Sequence, residues 1–225
     1  MLKTNLSEIL TEISRGNNLG EKITLVAATK MQSAETINAA IKNGVQVVAE
    51  NKVQEFREKT ALLLPCRQHF IGHLQTNKVK YIVGKVELIH SVDSVRLAEA
   101  INDFAAKKAA VQDILIEINA GGEESKSGFS FDAAKDAVKE ISERFKSVRV
   151  KGLMAMLPES EDKEYLATLC DKVRVLYDAL KKEGYPFTYL SVGMSGDYKI
   201  AIAHGSNTIR LGTALFGKRN YGDKK

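Results

Sequence analysis

Eight short apolar runs that alternate with helical patterns predict an α/β fold for this chain of 225 residues. The specific prediction is a single (β/α)8 TIM-type barrel with an extra N-terminal helix. Two further observations favour one closed barrel. The chain contains only three prolines and has no glycine-, serine- or proline-rich linker that would divide it. Its length is also close to the roughly 250 residues of single barrels of this type.

The predicted strands are rich in valine, isoleucine and leucine, and a polar or glycine-containing turn follows each of them. Near-continuous apolar strands of this kind are typical of a parallel sheet that is covered by helices. The eight predicted strands are 23–30, 45–51, 68–72, 87–93, 113–119, 148–156, 189–195 and 208–217.

Helical patterns occupy the segments between these strands. Because eight strands close a barrel of this type, we favour the barrel over a doubly wound open sheet, the alternative that the alternation also permits. The predicted helices are 33–43, 51–63, 76–83, 94–107, 131–145, 163–182 and 197–204.

We expect one domain over residues 1–225, with an N-terminal helix within 1–20 and a polar tail at 218–225. The segment AGGEESKSG, residues 120–128, is the most loop-like part of the chain. We expect it to be a long connection after the fifth strand.

Composition favours a soluble cytoplasmic protein, with 44% hydrophobic and 27% charged residues. No apolar run is long enough to cross a bilayer, and the N-terminus lacks the pattern of a secretory signal, so we expect no membrane partner. The net charge is +5, but basic residues are interspersed with acidic ones and tryptophan is absent, so we expect no nucleic-acid partner. Cys66 and Cys170 are isolated, which predicts two buried or half-buried free thiols and neither a zinc site nor a disulfide.

Lys30 directly follows the apolar run of the first predicted strand. In α/β barrels the chemistry is built at the carboxyl ends of the strands. Partial burial there disfavours the ammonium form, and a neutral amine is the nucleophile that forms an imine with an aldehyde cofactor. The alternative is a lysine whose stem is buried while its ammonium extends to water.

The segment SVGMSGDYKIAIAHGS places small residues before a short helix, after the seventh predicted strand. Small residues allow backbone N–H groups to approach an anion, and loops after strands seven and eight commonly bind phosphate in this architecture. Ser195 and the neighbouring Gly212 and Thr213 are therefore candidate phosphate contacts. Otherwise these glycines are simple turn formers.

Arg210 lies between apolar residues on the eighth predicted strand, and strand alternation directs it into the barrel. A buried arginine needs an acid, a carbonyl or a ligand atom as its partner. Strands one and eight are neighbours in a closed barrel, so Lys30 and Arg210 are expected to bracket one flat ligand with a phosphate group. A purely structural salt bridge of Arg210 is the alternative.

Several segments in order resemble the pyridoxal phosphate homeostasis protein family, whose barrel is similar to the N-terminal domain of alanine racemase. The resemblance covers about residues 23–217. The matching segments are VAATK at Lys30, AENKVQE (49–55), HFIGHLQTNK (69–78), HSVDS (90–94), ESKSGF (124–129), GLMAM (152–156) and LSVGMSGDYKIAIAHGSNTIRLGTALFG (190–217).

The resemblance implies pyridoxal 5'-phosphate (PLP) as the cofactor, held as a Schiff base on Lys30. It also implies Asn51 as a cofactor contact, Ser195 with Gly212 and Thr213 as phosphate contacts, and Arg210 near the pyridine nitrogen. The chain departs from the family pattern at three positions, and we expect these changes to alter the pocket shape without affecting the imine and phosphate positions. They are Ala49, Lys52 and Gln68.

The resemblance implies intracellular PLP homeostasis, with PLP buffered or delivered, and apo-forms of PLP enzymes as partners. We expect a monomer that is a carrier rather than an enzyme. An arginine at the pyridine nitrogen weakens the electron sink, and the chain ends soon after the eighth strand, without the second domain of racemases.

Three alternatives remain open at this stage. The first is a PLP-dependent racemase or lyase of low activity with Lys30 as base, and the second is a phosphate-binding isomerase without PLP. The third is an RNA-binding protein. Exchange of substrate α-protons would identify the racemase or lyase, and a protein that stays colourless with added PLP would identify the isomerase. A salt-dependent shift assay would identify RNA binding.

Overall fold

The computed structural model describes residues 2–123 and 126–217. Its eight parallel strands are β1 (Thr24–Ala28), β2 (Val47–Glu50), β3 (Arg67–Phe70), β4 (Leu88–Val92), β5 (Gln112–Ile118), β6 (Val148–Ala155), β7 (Tyr189–Val192) and β8 (Thr208–Leu211). Each strand pairs with its neighbours in chain order, and β8 pairs with β1 to close the barrel. The predicted barrel is therefore confirmed, and the open doubly wound sheet is excluded.

Helices connect successive strands and cover the outside of the barrel. The α-helices are α1 (Leu2–Ile13), α2 (Ala34–Lys42), α3 (Val53–Lys59), α4 (Val95–Lys107), α5 (Phe131–Arg144), α6 (Lys163–Lys182), α7 (Tyr198–Ala203) and α8 (Thr213–Phe216). Two 3-10 helices cover Thr60–Leu62 and Thr76–Tyr81. The second lies where the sequence predicts an α-helix over 76–83, and short 3-10 turns of this kind are common connectors.

Four helices begin at a side chain that satisfies one of their unpaired backbone N–H groups. Such a cap contributes about 1 kcal/mol to the stability of a helix. The caps accept from the amide three residues further on, in the pairs Ser33–Thr36, Ser94–Leu97, Ser130–Ala133 and Asp162–Tyr165.

The predicted strands extend beyond the carboxyl ends of the observed ones, by six residues at β8. β1 ends at Ala28 rather than at residue 30, and β8 ends at Leu211 rather than at residue 217. The apolar residues after β8 belong to α8, where Leu215 is buried. Short apolar runs do not distinguish a strand from a buried helix, which explains the second error.

The N-terminal helix is shorter than the segment 1–20 predicted to contain it. It ends at Ile13, and Gly16 adopts a left-handed φ of 77° that a helix does not permit. The side-chain oxygen of Asn17 then accepts from the amides of Leu19 and Glu21 at 3.0 and 2.9 Å. These bonds hold the chain in a loop before β1.

Side chains that point into the barrel form two small apolar clusters on opposite sides. One contains Val26, Val47 and Ala49 with Ile71 packed against it. The other contains Leu88, Leu115 and Met154 with Tyr189 packed against it. The remaining apolar core lies between the outer faces of the strands and the helices.

In the part of the chain that the structure describes, no helix has both the length and the apolar character required to span a membrane. Among the same residues, no group of three or more histidine, cysteine or acidic side chains is arranged to hold a metal. Cys170 is buried and Cys66 is half-buried, and neither is in a disulfide. The predicted polar tail at 218–225 lies outside the described residues.

Candidate cofactor site at the barrel mouth

Four consecutive strands of the closed barrel carry the predicted site residues at or beyond their carboxyl ends. The carboxyl ends of parallel strands open to the same edge, so the topology brings these residues to one mouth. Lys30 lies beyond β1, Asn51 follows β2, Ser195 lies beyond β7, Arg210 lies within β8, and Gly212 and Thr213 follow β8.

Arg210 is buried inside the barrel, with 4% of its surface exposed. Its Nη1 donates to the carbonyl oxygen and to Oγ of Ser191, at 2.6 and 2.7 Å. Its Nη2 donates to the carbonyl oxygen of Ala155 at 2.9 Å. These acceptors are neutral, unlike the carboxylate of a structural salt bridge. Burial lowers the pKa of Arg210 to about 10, which leaves the guanidinium charged at neutral pH.

A chain of buried polar side chains continues from Arg210 across the barrel interior. Ser191 Oγ lies 3.0 Å from His90 Nδ1, and His90 Nε2 lies 2.9 Å from His69 Nδ1. Burial lowers the pKa of His69 to about 4 and that of His90 well below its ordinary value. Both rings are therefore neutral at neutral pH. Through Ser191, hydrogen bonds between neutral side chains thus connect Arg210 to His90 on β4 and to His69 on β3.

Ser195 lies against the amides that follow β8. Its Oγ accepts from the N–H of Gly212 at 3.3 Å and from that of Ala214 at 3.1 Å. Thr213, predicted from the sequence as a phosphate contact, is exposed, whereas the second amide that contacts Ser195 belongs to Ala214. The position of Ala214 in the first turn of α8 is the feature that directs its amide at the loop after β7.

Gly193 is required by the same loop. Its φ is 105°, and a Cβ there would lie 2.9 Å from Tyr198 Cα and from Ala201 Cβ. A side chain at this position would therefore both strain the backbone and collide with α7. The predicted short helix over 197–204 is observed as α7, which packs directly against this glycine.

Asn51 carries a buried acceptor that lacks a partner. Its Oδ1 has no hydrogen bond among the described residues. The turn after β3 packs closely against the backbone of Asn51. A Cβ at Gly72 in this turn would lie only 1.9 Å from the Asn51 carbonyl oxygen. An unsatisfied buried acceptor costs about 1–3 kcal/mol, which favours a ligand or a water as its partner.

Glu117 on β5 is a titratable side chain at the mouth that sequence analysis missed. It is buried, and this burial, together with the nearby charge of Asp93, raises the pKa of Glu117 to about 7. Asp93 itself pairs with His73, with 3.0 Å between Oδ2 and Nδ1. Glu117 lies two residues after Leu115 of the interior cluster and therefore on the same strand face, which is the signal that strand alternation offers.

A surface cavity of about 600 Å³ lies beside the mouth and includes Asn51 in its lining. Lys52, Arg57 and Lys78 also line it, and the Arg57 guanidinium lies 4.4 Å from the centroid of the Tyr81 ring. Lys30 and Arg210 are not among its described lining residues. The cavity thus shares Asn51 with the predicted cofactor site but does not include Lys30 or Arg210.

Comparison with known proteins decides the family. The family model described as alanine racemase, N-terminal domain, matches residues 4–220. A protein of Aquifex aeolicus named pyridoxal phosphate homeostasis protein is 43% identical over 210 residues, which are 92% of this chain and 90% of that protein. This chain belongs to the pyridoxal phosphate homeostasis protein family. An Escherichia coli K12 protein of the same name is 34% identical, over 98% of this chain and 97% of its own length.

Solved structures agree with the family assignment. The structure of PipY from Synechococcus elongatus PCC7942 with PLP bound matches with a TM-score of 0.85 at 28% identity, over 96% of this chain and 100% of PipY. Alanine racemase of Clostridium difficile 630 matches with a TM-score of 0.82 at 16% identity, over 97% of this chain and 57% of the racemase. The second likeness shows the fold alone. The family and its PLP-bound member support a role in PLP homeostasis.

The three residues that depart from the family pattern lie in different environments. Ala49 is buried in the interior cluster on the β1–β2 side. Lys52 is exposed beside the surface cavity. Gln68 accepts a hydrogen bond from the Thr60 hydroxyl, so its side chain faces the outer helical layer. Of the three, Gln68 is therefore directed away from the barrel interior.

Proposed function

We propose that this protein holds PLP as a Schiff base on Lys30 and thereby buffers and delivers the cofactor in the cytoplasm. The pairing of β1 with β8 is the observation that carries the proposal, because Lys30 follows the strand next to the one that contains Arg210. Family membership and the PLP bound to PipY support the same cofactor.

The described residues fit this cofactor. PLP supplies an aldehyde, and the amine of Lys30 would condense with it and release water. Ser195, Gly212 and Thr213 are the proposed phosphate contacts, supported by the convergence of two backbone N–H groups on Ser195 Oγ. Arg210 is the proposed partner of the pyridine nitrogen. The unpaired Oδ1 of Asn51 favours that side chain as a further contact.

The state of Arg210 supports a carrier rather than an enzyme. The guanidinium is charged at neutral pH, because its pKa is about 10, and it has no proton to give to the pyridine nitrogen without losing that charge. An unprotonated pyridine is a weaker electron sink, which disfavours carbanion chemistry. Residues of this chain therefore bind and orient the cofactor without activating it strongly.

A second function, PLP-dependent racemase or lyase activity at a low level, is favoured by one observation. Glu117 has a pKa of about 7 at the mouth, which suits a group that both accepts and donates a proton. Incubation of the PLP-loaded protein with amino acids in deuterated water would distinguish the two functions. Rapid α-proton exchange that Glu117→Gln abolishes would replace the carrier proposal with the enzymatic one.

We further propose that the protein acts as a monomer and gives its PLP to apo-forms of PLP enzymes. Light scattering of the PLP-loaded protein measures the first property. Mixing the loaded protein with an apo-enzyme, while a PLP-trapping amine competes in solution, measures the second. Reactivation that the trap suppresses completely would show release into solution rather than delivery.

Titration of the purified apo-protein with PLP tests the central function. The wild type should develop the absorbance of an imine, whereas Lys30→Ala should retain only noncovalently bound PLP on a folded barrel. Lys22→Ala, a change in an exposed lysine before β1, is the matched control and should behave as the wild type. Imine absorbance that persists in Lys30→Ala would refute the assignment.

A further inference from the structure

A charged network between α3 and the barrel contacts the backbone next to Lys30. At its centre is the ammonium group of Lys59, a side chain with only 14% of its surface exposed. Lys59 Nζ donates to Glu50 Oε1 at 2.9 Å, to Glu55 Oε2 at 2.6 Å and to the Thr29 carbonyl oxygen at 3.2 Å. All three hydrogens of the ammonium group are thus used.

The two carboxylates extend the network to both sides of Lys30. Glu50 Oε1 accepts from the Thr29 hydroxyl at 2.7 Å, and Glu55 Oε2 accepts from the Met31 backbone N–H at 2.7 Å. Thr29 and Met31 are the residues immediately before and after Lys30. A single side chain on α3 therefore organises the contacts of both neighbours.

The backbone at Met31 needs such support. Met31 has a φ of 61°, in the left-handed region that a residue with a side chain seldom adopts, and its own side chain is exposed. Conformations of this kind persist when surrounding contacts hold them. The bond from the Met31 amide to Glu55 is such a contact, and it lies one residue from Lys30.

The charge state of Glu55 agrees with this role. Burial opposes ionisation, but the hydrogen bonds from Lys59 and from the Met31 amide prevail and lower the pKa of Glu55 below its ordinary value. The carboxylate is therefore ionised at neutral pH. Without the Lys59 ammonium, the carboxylates of Glu50 and Glu55 would face each other as like charges and separate.

We propose that Lys59 is a positioning residue, which fixes the turn on both sides of Lys30 and so the approach of the Lys30 amine to an aldehyde. The inference rests on the proposed Schiff base. Alignment of two reacting groups affects the rate of bond formation strongly, and small displacements cost large factors. The proposed phosphate contacts, by contrast, follow β7 and β8 and share no described hydrogen bond with this network.

Two measurements on the full chain separate positioning from general damage. One is the rate of imine formation after apo-protein is mixed with PLP, followed by absorbance. The other is the affinity for pyridoxine 5'-phosphate, an analogue with an alcohol in place of the aldehyde. Lys59→Met, which removes the ammonium but keeps the length, should slow imine formation by about tenfold or more and leave analogue affinity unchanged.

Two further variants complete the design. Glu58→Gln is the matched control on the same helix, because Glu58 is exposed and bonds to Gln54, and it should change neither quantity. Lys59→Met combined with Glu55→Gln removes the repulsion between carboxylates while keeping an acceptor for Met31, and should recover part of the rate. If Lys59→Met does not fold, Glu55→Ala, which removes the Met31 contact, is expected to show the same separation.

An unchanged rate in Lys59→Met, or in Glu55→Ala where that variant replaces it, would overturn the inference. Equal losses of imine formation and analogue affinity would also overturn it, since that pattern reports general structural damage. Failure of the proposed function looks different, because the wild type itself would then form no borohydride-reducible bond at Lys30.

Discussion

The two sides of the mouth hold their charged groups by different interactions. On the β1–β2 side, the turn that carries Lys30 is tied to α3 by ion pairs of Lys59 with Glu50 and Glu55. On the β7–β8 side, Arg210 is buried and its partners are carbonyl and hydroxyl oxygens. A reactive amine must remain accessible to its reagent, whereas a recognition group must only remain fixed and charged. The two sides meet these requirements separately.

The difference has a consequence for the response to solution conditions. Salt screens largely buried ion pairs such as those of Lys59 much less than surface pairs, so the β1–β2 side should respond only weakly to salt. The chain of neutral histidines behind Arg210 is instead sensitive to acid, because its members must remain uncharged.

Acid should give the largest effect on stability, through the histidine chain. The pKa of His69 is lowered from 6.5 to about 4, so between these values the unfolded chain binds a proton that the folded protein excludes. The contribution of His69 to the free energy of unfolding is therefore fully present above pH 6.5. It is lost as the pH falls from 6.5 to 4, by about 3 kcal/mol in total. Glu117, whose pKa is raised to about 7, acts in the opposite direction over the same range, so denaturant unfolding in a Glu117→Gln background measures the loss.

Two comparisons sharpen the acid experiment. In the Glu117→Gln background, His69→Gln should reduce the dependence between pH 6.5 and 4.5, and the remainder should come from His90. Glu55, whose pKa is lowered from 4.5, stabilises the fold above that value and loses its contribution only at lower pH, so the β1–β2 side should not respond in this window. A slope as steep with His69→Gln as without it, both in the Glu117→Gln background, would contradict the account.

Truncation of Arg210 should give the next largest effect, on cofactor affinity. Arg210→Ala removes a charged partner, and hydrogen bonds to charged groups contribute about 1.5–3 kcal/mol, so PLP affinity should fall about ten- to hundredfold. Equilibrium dialysis of PLP measures it. Arg210→Lys keeps the charge but not the forked geometry toward Ser191 and Ala155. Its PLP affinity should therefore lie between those of the wild type and Arg210→Ala. Unchanged affinity in Arg210→Ala would show that the arginine is structural.

Interruption of the buried chain at His90 should destabilise the fold less. His90→Leu leaves Ser191 Oγ and His69 Nδ1 without their present partner, at a cost of about 2 kcal/mol in the free energy of unfolding. His204→Leu is the control, because His204 pairs with Asp171 near the surface and such pairs contribute about 0–1 kcal/mol. Equal losses in the two variants would show that the chain in the barrel has no special role.

Removal of the Ser195 hydroxyl should give the smallest effect. Ser195→Ala deletes one acceptor of the Gly212 and Ala214 amides, and a single hydrogen bond contributes about 0.5–1.5 kcal/mol, so PLP affinity should fall only about two- to tenfold. Ser130→Ala, which removes the cap of α5, should lower stability by about 1 kcal/mol and leave PLP affinity unchanged. A larger effect at Ser195 than at Arg210 would reverse the proposed ranking.

Sequence patterns predicted the parts of the molecule that follow from local order. The eight apolar runs predict the closed barrel, and closure makes β1 and β8 neighbours, so Lys30 and Arg210 are assigned to one mouth by sequence order alone. Element ends were less predictable, because residues such as Leu215 are apolar in either a strand or a buried helix.

Interactions between distant strands were not predictable. His69, His90 and Ser191 belong to three strands, and only the register of the barrel brings their side chains into one chain. The network of Lys59 likewise depends on how α3 packs against the turn after β1. Pairings of this kind are specified by tertiary packing, which no local pattern records.

The most direct test of the central claim is the identity of the lysine that carries the cofactor. Wild-type protein loaded with PLP and reduced with borohydride can be digested, and the modified peptide can be located by mass spectrometry. The account predicts one dominant adduct on Lys30, absent from Lys30→Ala. A dominant adduct on any other lysine, or none in a folded protein, would contradict it.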